Sequence, residues 1–163
     1  MKKNIDQLKM KRETKFEFKE ILEDIQIEGT TISEVHVDYL LELVEGEVII
    51  RGDYKAFLKT SCVRCLEEID LEVSGEFFGD YKESKDYNEY IESLGKEAQV
   101  HDDMVEELVN GEIDISSLVR DYIILDMPQF PACEPECSGL DELEKYRNSG
   151  IDSRWQQLLD LKN

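Results

Sequence analysis

The four cysteines of this 163-residue chain are the residues whose type and spacing most clearly indicate chemistry. They form two close pairs, Cys62-Val-Arg-Cys65 and Cys133-Glu-Pro-Glu-Cys137, and no cysteine is left over. Structural zinc sites use cysteines at such short intervals because one loop can direct two thiolates at a metal ion, and two loops complete a tetrahedron. The sequence therefore predicts one structural zinc ion bound by Cys62, Cys65, Cys133 and Cys137.

Other interpretations of these cysteines remain open. A redox-active pair would use Cys62 and Cys65, although such pairs usually begin a helix beside a βαβ sheet, and this pair lies between predicted strands. Four thiols can also be buried as small apolar groups, and His36 or His101 could replace one ligand. Four cysteine ligands leave no open position for water, and no nucleophile elbow or phosphate-binding loop is present. We therefore expect a structural site in a protein that is not an enzyme.

The first cysteine pair must be positioned by β-strands. Apolar and polar residues alternate over 34–43, 48–58 and 69–77, which predicts three half-buried strands, the second interrupted at Gly52-Asp53. Phe16 and Phe18 indicate an earlier strand. Successive strands at short spacing predict an antiparallel meander that curls towards a barrel.

The second half of the chain is predicted to contain the helices. Asp114 is a suitable N-cap for an apolar stripe that runs to Met127, and Pro128 ends it. Shorter helices are expected near 102–108 and over 152–161. The predicted fold class is α+β, mainly an antiparallel β meander or barrel-like sheet with a few helices, mostly in the C-terminal half. We expect a single domain over 1–163, with a basic lead at 1–15 and an acidic, mobile insertion at 80–112.

The charge of the chain is −20, from 39 acidic and 19 basic residues. Residues 1–19 hold seven basic and three acidic side chains, a net of +4, whereas 66–114 hold 17 acidic and three basic ones, a net of −14. Such a field repels phosphate and favours a basic partner over broad contact with RNA. The basic residues available for local contact with RNA or a partner are Lys9, Lys11, Arg12, Lys15, Arg64 and Arg120.

The sequence also indicates where the protein acts. Its apolar runs are far shorter than the roughly 20 residues that cross a bilayer, and no apolar segment follows the basic N-terminus as in a secretory signal. We therefore expect a cytoplasmic protein without a membrane partner, whose cysteines are reduced or bind metal.

Several segments, in the same order along the chain, resemble the YceD family of large-ribosomal-RNA-subunit accumulation proteins. They are Cys62-Val-Arg-Cys-Leu66, the segments 114–121 and 125–128, Cys133-Glu-Pro-Glu-Cys137-Ser-Gly-Leu140, and 151–159 with its Asp-Ser-Arg-Trp. Many members continue after Gly-Leu with two further cysteines and an Asn-Leu-Asn tail, where this chain has Asp141-Glu-Leu-Glu144. Either metal binding is not essential to the fold's role, or four cysteines suffice.

The resemblance implies a small non-enzymatic factor that supports synthesis, processing or accumulation of large-subunit ribosomal RNA. Combined with the charge, it predicts action through a basic ribosomal protein or an RNA-processing enzyme, with ribosomal RNA contacted indirectly or locally. The alternatives are a thiol-redox protein that uses Cys62 and Cys65, and an acidic chaperone for a basic client.

Overall fold

The computed structural model describes residues 1–23, 25–94, 105–133, 137 and 139. The elements in chain order are β1 (Lys2–Asn4), α1 (Ile5–Lys9), β2 (Lys15–Leu22), β3 (Thr31–Val44), β4 (Glu47–Ser61), β5 (Glu68–Glu83), α2 (Ser84–Leu94), β6 (Val105–Leu108), β7 (Glu112–Asp114) and α3 (Ile115–Asp126). Among these residues, no helix has the length and apolar character needed to span a bilayer.

The main sheet has five strands in the order β2-β3-β4-β5-β6. Strands β2 to β5 form the predicted antiparallel meander, and β6 joins β5 in parallel. A second sheet pairs β1 with β7. The α+β class is therefore confirmed. In the described part of the chain β2 and β6 are unjoined edges, so the sheet is open and resembles a barrel only loosely.

The hydrophobic core lies on one face of the main sheet. Side chains on successive strand residues point to opposite faces, so every second residue of β3 and β4 is buried: Val35, Val37, Tyr39, Leu41, Val48, Ile50, Tyr54, Ala56 and Leu58. The opposite face carries cross-strand ion pairs such as Lys19–Asp38 and Lys55–Glu72, each 2.8 Å long. Exposed pairs of this kind contribute little stability, so the apolar face holds the sheet in place.

Two predicted local features are wrong. Strand β4 is not interrupted at Gly52-Asp53, because Gly52 serves packing rather than a turn: a Cβ atom there would lie 2.4 Å from the Cβ of Tyr39. The helix expected near 102–108 is instead strand β6 from residue 105 onward, where pairing with the edge of β5 outweighs weak helical periodicity. The helix predicted over 152–161 lies outside the described residues.

Helix α3 forms as predicted and lies against β5. The carboxylate of Asp114 accepts hydrogen bonds from the backbone N–H groups of Ser116 and Ser117, at 3.1 and 3.4 Å, which satisfies the first turn. The helix buries Ile115, Leu118, Val119 and Ile123. Its close approach to the sheet uses Gly79, where an added Cβ would be 3.1 Å from Leu118 Cδ2.

The end of α3 is fixed to the centre of the sheet. The hydroxyl of Tyr54 donates a 2.6 Å hydrogen bond to Asp126 Oδ2, and Asp126 lies over Gly75, where a side chain would collide with it. Because these contacts hold the last residue of α3 against the sheet, the chain leaves the helix at Met127 from a fixed position and continues to the second cysteine pair.

The two segments singled out by charge contain regular structure. Within 1–15, β1 pairs with β7 and the short helix α1 buries Ile5 and Leu8 in the core. Residues 80–112 contain the end of β5, helix α2, strand β6 and the start of β7.

Candidate metal centre

The first cysteine pair lies in the tight connection between β4 and β5. Two backbone hydrogen bonds close this loop: Cys62 N–H donates to the carbonyl of Glu67 at 2.8 Å, and Leu66 N–H donates to the carbonyl of Cys62 at 2.9 Å. The turn requires a left-handed backbone at Leu66, with φ of 63°. The pair therefore joins two antiparallel strands, as predicted, and does not begin a helix as in a thioredoxin-type site.

The second cysteine pair follows α3 and reaches the first through a backbone contact. Val63 N–H donates a 2.9 Å hydrogen bond to the carbonyl of Pro131, two residues before Cys133. This hydrogen bond brings the backbone of the two loops into direct contact.

The four sulfur atoms lie close enough to share one ion. All four Sγ atoms lie within 4.8 Å of one another, with Cys62 and Cys137 3.6 Å apart and Cys65 and Cys133 3.5 Å apart. A tetrahedron with zinc–sulfur bonds of about 2.3 Å has sulfur atoms about 3.8 Å apart. Disulfide sulfurs are only about 2.0 Å apart, and these cysteines are free thiols. The arrangement fits a tetrahedral ion with four sulfur ligands.

Each loop directs a backbone donor at its own sulfur. Arg64 N–H donates to Cys62 Sγ, and Gly139 N–H donates to Cys137 Sγ, both at 3.4 Å and both from the second residue after the cysteine. Gly139 has φ of 78°, a left-handed conformation that glycine adopts without strain. Hydrogen bonds to sulfur favour the charged thiolate, so both loops are prepared for a ligand that is deprotonated.

Ionisation of the cluster is uneven. Backbone N–H groups, first that of Cys65 and then that of Arg64, outweigh burial and lower the pKa of Cys62 to about 5. Hydrogen bonding with Cys65 and Cys62, together with burial, raises the pKa of Cys133 to about 12. The Cys62 thiolate therefore forms readily, whereas Cys133 keeps its proton unless a cation compensates the negative charge. A divalent ion supplies that compensation.

Of the sequence-predicted site residues, the structure brings together the four cysteines. Ion pairs neutralise three of the basic candidates: Lys9 with Glu83, Lys15 with Glu42, and Arg120 with Asp121. Lys11 lies 5.5 Å from the ring centre of Phe16, Arg12 is exposed in the loop before β2, and Arg64 is exposed in the first cysteine loop.

Of the two histidines considered as substitute ligands, the structure describes His36. His36 lies on the outer face of β3, where its Nε2 atom is 3.1 Å from Glu34 Oε1, away from the cluster. His101 lies outside the described residues.

Sequence reasoning missed the groups that align the loops. The Val63–Pro131 hydrogen bond and the donors to sulfur are backbone groups, which almost any residue supplies. A glycine two positions after Cys137 is the one local signal that could have indicated such a turn.

The fold and the site define a small α+β domain in which a four-cysteine cluster joins a β-hairpin loop to the segment after the main helix. The chain belongs to the YceD family, since the family model described as large ribosomal RNA subunit accumulation protein YceD matches residues 50–162. That range contains both cysteine pairs and α3.

Curated relatives are similar in sequence to much of this chain. Uncharacterized proteins of Mycobacterium bovis and Mycobacterium tuberculosis are 26% identical over 136 residues, which covers 77% of this chain and 60% of theirs. An uncharacterized protein of Mycobacterium leprae is 26% identical over 139 residues, covering 78% of this chain and 58% of its own. The chain thus spans about 60% of the length of these relatives. No solved structure matches it.

Proposed function

We propose that this protein is a non-enzymatic factor that supports the accumulation of large-subunit ribosomal RNA by binding a basic protein partner. The observation that carries the proposal is the family match over 50–162, because the family description names this role. Four free thiols and a role in ribosomal RNA metabolism support the cytoplasm as its compartment.

We further propose that the cysteine cluster binds one structural zinc ion. Sulfur–sulfur distances of 3.5 and 3.6 Å and backbone donors in both loops support this assignment. Cys62, Cys65, Cys133 and Cys137 would hold the ion, which would supply cross-linking rather than catalysis, because four sulfur ligands leave no position for water. In small zinc-binding peptides such a site contributes roughly 10 kcal/mol.

Charge supports a protein partner over direct capture of RNA. Binding to RNA relies on lysine and arginine that neutralise phosphates, and the net charge of −20 opposes it. Lys9, Lys15 and Arg120 already pair with carboxylates. A basic ribosomal protein or RNA-processing enzyme meets no such repulsion.

The cellular role is tested by deleting the gene in its native host and measuring the ratio of large- to small-subunit ribosomal RNA. We expect the ratio to fall, and a plasmid copy of the wild-type gene to restore it. In parallel, crosslinking in intact cells followed by mass spectrometry should identify a basic ribosomal protein or nuclease. An unchanged ratio contradicts the proposed role, and nanomolar affinity for RNA with a steep salt dependence contradicts the protein-partner route.

The metal is tested by elemental analysis of protein purified without chelator. We expect about one zinc per chain, and less than about a tenth of an equivalent overturns the assignment. The variant Cys62→Ser/Cys65→Ser should lose the zinc, while Ser61→Ala, adjacent to the same loop, should retain it. A thiol-redox function would instead give turnover with a dithiol reductant.

A further inference from the structure

Strand β5 exposes an unpaired backbone edge over most of its length. One edge pairs with β4 from Glu68 to Lys82, but the other pairs with β6 only over Asp80–Glu83. In the described part of the chain, no strand pairs with this second edge over 68–79. An edge of this kind is a template for another strand.

The direction of the free backbone groups follows from one side-chain contact. The hydroxyl of Tyr122 donates a 3.0 Å hydrogen bond to the carbonyl of Phe78, so this carbonyl is directed away from β4. Backbone groups alternate in direction along a strand. Asp70, Glu72 and Ser74 therefore present their N–H and C=O groups to the free edge.

A groove of about 970 Å³ runs beside the beginning of this edge. Ile69 and Leu71 form one wall, and Phe130 and Pro131, next to the cysteine loops, form the other. Phe130 is 77% exposed, although its side chain is large and apolar. The groove offers apolar contacts to alternate side chains of an added strand, as sites of strand addition do.

The solvent side of the same strand is acidic. Its carboxylates are Glu68, Asp70, Glu72 and Glu76, and Asp70 is 87% exposed. Two lysines form ion pairs with three of these carboxylates. Lys59 lies 3.2 Å from Glu68 and 3.8 Å from Asp70, and Lys55 lies 2.8 Å from Glu72. Arg64 is the one basic residue among the groove's described lining residues. The surplus negative charge complements a basic occupant.

We propose that an extended basic segment of the protein partner adds as a strand to the free edge of β5 between Glu68 and Glu76. Its backbone pairs with Asp70, Glu72 and Ser74, its alternate apolar side chains enter the groove, and its basic side chains face the carboxylates. The proposal rests on the proposed basic partner and identifies the surface that binds it. An RNA strand does not fit this surface, because its phosphates would lie against the carboxylates.

The test uses a fluorescent peptide of alternating lysine and valine, with glutamate–valine and alternately N-methylated lysine–valine peptides as comparisons. Anisotropy should show binding of the lysine–valine peptide only. The variant Asp70→Lys/Glu72→Lys should weaken that binding by about tenfold or more. The matched control Glu17→Lys/Asp38→Lys makes the same charge change on the outer face of β2 and β3, strands that do not pair with β5, and it should leave the affinity within about twofold. Thermal unfolding shows whether both variants are folded.

Amide hydrogen exchange in the wild-type protein provides a second measurement that needs no variant. Addition of the lysine–valine peptide should slow exchange at Asp70, Glu72 and Ser74. Equal binding by the Asp70→Lys/Glu72→Lys variant, protection along β2 instead, or full protection of these amides before the peptide is added each overturns the proposal.

Crosslinking in cells separates this proposal from the function on which it rests. If the wild-type protein and the Asp70→Lys/Glu72→Lys variant capture the same basic partner equally, the surface is wrong and the proposed function stands. If the wild-type protein captures no basic protein, the proposed partner class itself is wrong.

Discussion

Replacement of Tyr54 by phenylalanine should loosen the attachment of α3 to the sheet. Tyr54 is only 3% exposed, and its hydroxyl contacts Asp126 Oδ2 at 2.6 Å and the carbonyl of Tyr122 at 3.3 Å. Burial and the hydrogen bond to Asp126 raise the pKa of Tyr54. At neutral pH the hydroxyl therefore keeps its proton and donates the hydrogen bond. The variant Tyr54→Phe removes this donor and keeps the ring.

The expected loss follows from the type and exposure of the bond. Hydrogen bonds to charged groups contribute about 1.5–3 kcal/mol, but Asp126 is exposed and regains water when the bond is lost. We therefore expect the free energy of unfolding to fall by about 1–2 kcal/mol. For a domain of this size, the melting temperature should fall by about 2–8 °C.

Gly75 makes the same argument testable by a double-mutant cycle. A Cβ at this position would lie 2.2 Å from Asp126 Oδ2, so Gly75→Ala must displace the carboxylate and break its bond to Tyr54. In the Tyr54→Phe background that bond is already absent, and the same substitution should cost about 1 kcal/mol less. Urea denaturation of the four proteins measures this coupling, with Ser74→Ala as the neighbouring control. Losses that add to within about 0.5 kcal/mol would show that Tyr54 and Gly75 do not act through the same Asp126 carboxylate.

Three further predictions concern single residues. Leu66→Gly should raise the free energy of unfolding by about 0.5–1 kcal/mol in urea denaturation, because glycine adopts φ of 63° without the strain that leucine carries; a loss contradicts this. Burial raises the pKa of Asp80, and its Oδ1 accepts no hydrogen bond from the described residues. At pH values above the ordinary pKa of aspartate, the ionised carboxylate therefore lowers the free energy of unfolding. Asp80→Asn should therefore stabilise the protein near neutral pH, and thermal melts should show the gain disappearing towards about pH 3. Ile123→Ala, at a fully buried position of α3, should cost about 2–5 kcal/mol by calorimetry, whereas exposed Ile124→Ala should cost little.

The parts of the fold that local sequence determines could be predicted. Strands β3, β4 and β5 are long and alternate apolar with polar residues, and α3 has both an apolar stripe and an N-cap in Asp114. Strands β1, β6 and β7 are three or four residues long, too short to show a period. They exist because a distant segment pairs with them, which no local pattern records.

The candidate site, too, could be predicted only in part from the sequence. Cysteine spacing identified the four residues that the structure brings together. It could not show that the sulfur atoms of Cys62 and Cys137 lie 3.6 Å apart and those of Cys65 and Cys133 3.5 Å apart, because these distances depend on how the two loops face each other. The left-handed Leu66 was equally hidden, since leucine disfavours the conformation that the loop imposes on it.

The cysteine cluster can be completed only late in the synthesis of the chain. Its sulfur pairs join residues 68 and 75 positions apart, whereas β2 to β5 pair only with their sequence neighbours. Chains are made from the N-terminus, and nearby pairings close sooner than distant ones. The strands of the meander can therefore pair before Cys133 and Cys137 have been made. The two halves of the site are thus made at widely separated times, and the cluster can close only after residue 137 has been made.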